Sequence, residues 1–220
     1  MAAFSRRRAS YGHYALRVQT IAVAVLMFAT AAEARTLHIV ALGDSLTAGY
    51  GLPPGQSFPD ALSRALKAKG WDVEITNAGV SGETAEDGLA RYDWSVPAGT
   101  DALIVELGAN DMLRGRSPEA AKDALAQILA KAKQAHLAVL LTGMRAAPNL
   151  GAQYQKQFDA IYPDLAERYG VALYPFYLEG VAGDPKLNQP DGLHPTREGV
   201  EKIVAGILPS VERLLSSIKP

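Results

Sequence analysis

The side chains best suited to acid–base or nucleophilic work cluster in four short segments. These are Gly43-Asp44-Ser45-Leu46, Asn77-Ala78-Gly79-Val80-Ser81-Gly82, Gly108-Ala109-Asn110-Asp111 and Asp191-Gly192-Leu193-His194-Pro195. Together they supply a hydroxyl, an imidazole, a carboxylate three residues before that imidazole, an unencumbered glycine amide and a carboxamide. A serine acyl-transfer centre needs those parts: a nucleophile, a base to take its proton, an acid to orient the base, and donors for a tetrahedral oxyanion. The absence of cysteine removes thiol nucleophiles, thiolate metal sites and disulfide scaffolds from the alternatives.

Histidine usage sharpens the choice of base. The four histidines are His13, His38, His136 and His194. His13 falls in a leader-like segment, His38 begins a predicted strand and His136 precedes another, so both of these belong to the amino-terminal edge of the sheet. A general base must reach the proton it removes, and His194 is the one placed to do so.

The elements that must position these groups follow from hydrophobic periodicity. Short runs rich in branched residues, Leu37–Leu42, Asp72–Thr76, Ala102–Leu107, Leu137–Leu141 and Val171–Tyr174, read as strands. Amphipathic stretches read as helices at Ser57–Lys69, about Thr84–Tyr92, Ser117–Ala135, Gln153–Tyr169 and Pro195–Leu215. Pro118 sits at a first helical position, whereas Pro163 should kink the helix that contains it. This alternation predicts a three-layer α/β/α domain with a five-stranded, mostly parallel sheet. In such sheets ligands bind outside the carboxyl ends of the strands, where all four segments should meet.

Each segment also has a plainer reading. Ser45 could cap a helix, Asn110-Asp111 could form an Asx cap, Gly79 could serve a tight turn, and Asp191-Gly192 could be a turn leading His194 into a helix. Caps and turns, however, need not place complementary catalytic groups on one rim.

A seam divides the chain near residue 34. Arg6, Arg7, Arg8 and Arg17 precede the apolar run Ile21–Ala32, and Ala32-Glu33-Ala34 follows as a small-x-small site. This is the pattern of a cleavable signal peptide over residues 1–34; the run is shorter than the roughly 20 apolar residues of a membrane span. Arg6-Arg7 also resembles a twin-arginine export signal but lies far ahead of the apolar run. Cleavage would leave a single domain, residues 35–220, exported to the periplasm or secreted and not stably inserted in a membrane. The whole chain of 220 residues balances 22 basic against 23 acidic side chains, so it offers no charge excess for nucleic acid. Gly and Pro number 20 and 13, too few for a low-complexity chain.

The blocks Gly43-Asp44-Ser45-Leu46, Gly79, Gly108-x-Asn110-Asp111 and Asp191-x-x-His194-Pro195, in that order, resemble the four sequence blocks of the SGNH (GDSL) hydrolase family. The likeness spans about residues 37–200. Tyr50-Gly51-Leu52-Pro53, Gly108–Gly115 and Ile161–Ala166 are similar to the bacterial periplasmic branch of thioesterases, lysophospholipases and arylesterases. The resemblance implies a flavodoxin-like SGNH fold with Ser45 as nucleophile, His194 as base and Asp191 orienting it. It further implies an oxyanion hole from the backbone amides of Ser45 and Gly79 and the side-chain amide of Asn110. Neither metal nor organic cofactor is expected, and the substrate would be a small ester or thioester with an acyl chain. Arg145–Gly151 would be a mobile segment over the acyl groove or a plain connecting loop. Thr47, two residues after Ser45, lacks the glycine of the α/β-hydrolase elbow.

Other functions remain open at this point: a carbohydrate O-deacetylase of the same family, a metal-dependent phosphoesterase, or a non-catalytic periplasmic binding module. A metallophosphoesterase wants several histidine ligands, and the rim offers His194 alone.

Overall fold

The computed structural model describes residue 1 and residues 35–218. The expected leader, with Arg6–Arg8, Arg17, His13 and the apolar run, lies outside the described residues. From Arg35 onward the described residues form one compact unit.

Five strands build the sheet: β1 (Leu37–Gly43), β2 (Val73–Gly79), β3 (Ala102–Glu106), β4 (Ala138–Thr142) and β5 (Ala172–Tyr174). All neighbouring pairs are parallel and the order is β2-β1-β3-β4-β5. The α/β expectation holds, and the sheet is parallel throughout. β1 and β3 are the inner strands beside the point where strand order reverses, and every residue of β3 is buried. Residues buried from both sides must be apolar along the whole strand, which accounts for the unbroken run Ala102-Leu103-Ile104-Val105.

Helices cover both faces. α2 (Phe58–Ala68) packs on α9 (Arg197–Ser216) on one side; α3 (Ala85–Ala90), followed by the one-turn α4 (Tyr92–Ser95), packs with α6 (Pro118–Gln134) and α8 (Ile161–Tyr169) on the other. α6 shows why the sequence forms it. Ser117 accepts from the Ala120 N–H as N-cap, Pro118 follows, and Ala121, Ala124, Leu125, Ile128, Leu129 and Ala132 bury one stripe.

Three expectations shift. The helix expected over Gln153–Tyr169 is two: α7 (Ala152–Asp159) and α8, broken at Ala160. Pro163 has no N–H to give the carbonyl four residues back, so the chain restarts just before it, with Pro163 in the first turn of α8. β2 runs three residues further than Asp72–Thr76 suggests, because Asn77-Ala78-Gly79 pairs with Ala41-Leu42-Gly43. The last helix starts at Arg197, where Thr196 accepts from Gly199 N–H at 3.2 Å. Pro195 instead bridges Asn188 and steadies the residue before it, His194.

A one-turn helix, α1 (Ser45–Ala48), crosses the ends of β1 and β2. The crossing is close enough to exclude side chains beneath it. A Cβ on Gly79 would lie 2.3 Å from the Ala48 nitrogen, and one on Gly43 would lie 2.1 Å from Thr47 Oγ1.

Candidate active site

Asp44, not Ser45, caps α1: its Oδ1 accepts the Leu46 N–H at 3.0 Å. Ser45 is thereby left at the first helical position with its hydroxyl free of capping duty. Its Oγ lies 2.9 Å from His194 Nε2, and His194 Nδ1 lies 2.7 Å from Asp191 Oδ2. The carboxylate can only accept, so Nδ1 carries the proton and Nε2 is left to accept the Ser45 O–H.

Asp191 also performs the turn that its plainer reading assigned to it. Its Oδ1 accepts the N–H groups of Leu193 at 2.9 Å and His194 at 3.0 Å, with Gly192 at a φ of 70°. The His194 backbone N–H first, then the imidazole and the Leu193 N–H, pull the Asp191 pKa down to about 2. Turn and charge partner are one side chain.

The expected oxyanion donors stand differently. The Ser45 backbone N–H has no acceptor among the described residues, as the first turn of a helix leaves it. Gly79 N–H donates to Asn77 Oδ1 at 3.0 Å. Asn110 Nδ2 donates to Asp44 Oδ2 and to the Glu83 carbonyl, both at 2.9 Å. Asn110 is thus not an Asx cap; α5 (Ala109–Leu113) has Gly108 at its N-cap position, with a φ of 112° that suits glycine and no side-chain cap. The neighbouring Asp111 accepts the Ala85 N–H at 2.8 Å and so anchors α3.

His38 and His136 lie away from this centre. His38 faces Glu74 at 3.4 Å, and His136 lines grooves at the opposite edge of the sheet. Among the described residues no group of three or more His, Cys, Asp or Glu is arranged to hold a metal ion, and no helix is long and apolar enough to cross a membrane.

The imidazole and hydroxyl open into a cavity of about 310 Å³ whose walls include Leu46, Met112, Leu113, Met144, Phe176 and Leu193. Arg145 and Ala147, from the loop before the short turn Pro148–Leu150, also line it. Taken as a whole the wall is mainly apolar, which suits a hydrocarbon chain beside a reacting carbonyl.

Sequence reasoning overlooked Gln189. Its Nε2 donates to the Tyr50 carbonyl at 2.7 Å and the Pro195 carbonyl at 3.0 Å, while its own N–H donates to the His194 carbonyl at 2.7 Å. It therefore ties the loop after Ser45 to the loop that carries His194. Tyr50 completes the contact with its ring centroid 4.6 Å from that of His194. No local pattern marks such a residue, because its partners are 139 and 6 positions away. Gln189→Ala is expected to lower kcat about 10-fold by loosening the serine–histidine approach. Steady-state kinetics on a short p-nitrophenyl ester, set beside a thermal melt, check this; an unchanged kcat removes the clamp from the account.

The model of the GDSL-like lipase/acylhydrolase family matches residues 41–202. The arylesterase of Vibrio mimicus is 37% identical over 182 residues, 82% of this chain and 91% of that protein. Thioesterase 1/protease 1/lysophospholipase L1 of Escherichia coli K12 is 40% identical over 175 residues, 79% of this chain and 82% of that protein. The crystal structure of AlinE4, an SGNH-hydrolase family esterase, superposes with a TM-score of 0.70 at 48% identity, covering 82% of this chain and 97% of that one. The chain belongs to the GDSL-like lipase/acylhydrolase family and is a serine hydrolase of that type.

Proposed function

We propose that the protein hydrolyses carboxylic esters and thioesters of acyl chains through an acyl-enzyme on Ser45. The observation that carries this reading is the continuous chain Ser45 Oγ, His194 Nε2, His194 Nδ1, Asp191 Oδ2, with links of 2.9 and 2.7 Å, opening on a largely apolar cavity. The relatives' names, arylesterase and thioesterase/lysophospholipase, support aryl esters, acyl thioesters and lysophospholipids over sugar acetates.

In the first half-reaction His194 takes the Ser45 proton while Oγ bonds to the carbonyl carbon and its oxygen becomes an oxyanion. The free Ser45 N–H receives that oxygen at once. Gly79 N–H and one Asn110 N–H now serve neutral carbonyl oxygens, Asn77 Oδ1 and Glu83 O. A full negative charge is the stronger acceptor and draws them over. The carboxylate of Asp44 keeps its own Asn110 N–H and so holds the amide in place. Collapse expels the alcohol or thiol with the proton from His194, and water repeats the sequence on the acyl-enzyme. Loss of one oxyanion donor typically costs about 3 to 4 kcal/mol of barrier.

The leader pattern supports export, with cleavage after Ala34 leaving residues 35–220 as a periplasmic or secreted domain. N-terminal sequencing of protein recovered from the periplasmic fraction tests that; a start other than Arg35 corrects the boundary. The catalytic reading is tested by incubation with p-nitrophenyl diethyl phosphate. A single phosphoryl adduct on the Ser45 peptide, with parallel loss of p-nitrophenyl ester hydrolysis, is expected. Full activity after stoichiometric modification elsewhere, or no modification, sinks it. Adding acyl-CoA and lysophospholipid to the substrate panel ranks the leaving groups.

A further inference from the structure

Glu106 is a charged residue type where the fold asks for an apolar one. It ends β3 in register with Gly43 and is fully buried. Its Oε2 accepts the Thr47 O–H at 2.8 Å and the Asp44 N–H at 3.3 Å, while no donor is offered to Oε1, which leaves that oxygen as the place for a proton. Gly43 makes room for it, since a Cβ there would lie 2.7 Å from Oε2.

The Asp44 carboxyl is equally buried and lies within hydrogen-bonding reach of the Glu106 carboxyl. Asp44 accepts with both oxygens, Oδ1 from Leu46 N–H at 3.0 Å and Oδ2 from Asn110 Nδ2 at 2.9 Å. Among the described residues neither acid has a Lys or Arg partner. Two carboxylates cannot both ionise in one dry, cation-free site. The acid whose two oxygens already accept is the one that stays charged, and the proton belongs to the other.

We propose that Glu106 is a positioning residue: a carboxylic acid kept neutral at working pH, which hydrogen-bonds the Asp44 carboxylate and so fixes the Asn110 amide and the start of α1. Through Asp44 it reaches an oxyanion donor, and through Thr47 and the Asp44 N–H it reaches the turn that presents Ser45. One buried acid thus aligns the nucleophile with the group that stabilises its product.

The electrostatics agree with the geometry. Burial lifts Asp44 to about 6, and burial together with the Asp44 charge lifts Glu106 well above the usual carboxylate range. The other groups that bear on the pair are Thr47 from α1, Asn110 from α5, Tyr162 from α8, Tyr177 beyond β5, and His194 acting on Asp44. Both phenols are pushed well above their ordinary range by burial and stay neutral. The nearby Arg91 guanidinium goes to the Gly43 carbonyl at 3.0 Å and to Glu83.

This inference rests on the esterase reading for its kinetic arm, so the experiment includes one that does not. Glu106→Gln preserves shape, a neutral donor and an acceptor; Glu106→Met preserves length without polarity. Glu106→Gln is expected to keep kcat within about 3-fold, and Glu106→Met to lower it about 30-fold with KM within about 2-fold. Infrared difference spectra at about pH 8, where Asp44 is ionised, should show a protonated-carboxyl band in wild type that Glu106→Gln removes. A Gln variant as impaired as the Met variant, a Met variant as active as wild type, or a missing band overturns the proposal. Should the Met variant not fold, the Gln variant and the band decide. Failure of Ser45 modification, by contrast, strikes the esterase reading and leaves the infrared arm standing.

Discussion

Ser45→Ala is expected to reduce kcat on p-nitrophenyl butyrate by about 10⁵-fold or more while leaving the melting temperature nearly unchanged. The two halves of that expectation come from different atoms. Asp44 caps α1 through Leu46, and Thr47 anchors α1 to Glu106 at 2.8 Å. The Ser45 side chain has one hydrogen bond, to His194 at 2.9 Å, and its loss removes the reacting oxygen without disturbing the helix. Residual hydrolysis of about 10³-fold over water should persist, because the Ser45 backbone N–H, Gly79 and Asn110 do not depend on the hydroxyl. A direct assay of purified variant against enzyme-free buffer measures both numbers. Turnover within about 10-fold of wild type would move the nucleophile elsewhere. A collapse in melting temperature would show that the hydroxyl serves the fold.

How much of this was legible in the sequence depends on how local each signal is. The sheet was readable because burial on both faces makes β1, β3 and β4 apolar along their length, and because helix caps such as Ser117-Pro118 act on the next few residues. The candidate site was readable for a topological reason: in a parallel sheet the segments after successive strands share an edge, so Ser45, Asn110 and His194 could be placed together before any distance was known. The end of β2 was not, since Asn77-Ala78-Gly79 reads as a loop and becomes strand only through pairing with β1. The break at Ala160 needed the observation that Pro163 falls in a first turn. Glu106 gave a signal that went unused, a carboxyl at the end of an otherwise apolar strand. Gln189 gave none, because its value lies in which two loops it joins.

Asp191→Asn is expected to cost about 10³-fold in kcat, through the tautomer of His194. In the wild type the carboxylate accepts from Nδ1 at 2.7 Å, which leaves Nε2 unprotonated and facing Ser45. An asparagine amide turned toward Nδ1 donates there instead. The ring proton then moves to Nε2, where it cannot take another from the serine. The Asp191 side chain is 38% exposed, so water competes for Nδ1 and the loss should fall below the roughly 10⁴ of a fully buried triad acid. The backbone turn survives, because the asparagine oxygen can still accept from Leu193 and His194. The pH dependence of stability supplies an independent reading. With its pKa drawn down to about 2, Asp191 contributes stability that is fully present above its unfolded value of about 4 and is lost as pH falls through about 2. Below that window wild type and variant should converge, and above it the variant should melt lower. Kinetics near neutral pH together with melts from about pH 1 to 7 separate the roles. A variant that loses activity but shows no pH-dependent difference in melting would mean that Asp191 orients the base without the charge coupling assigned to it. Near-normal kcat would mean that the turn alone sets the imidazole.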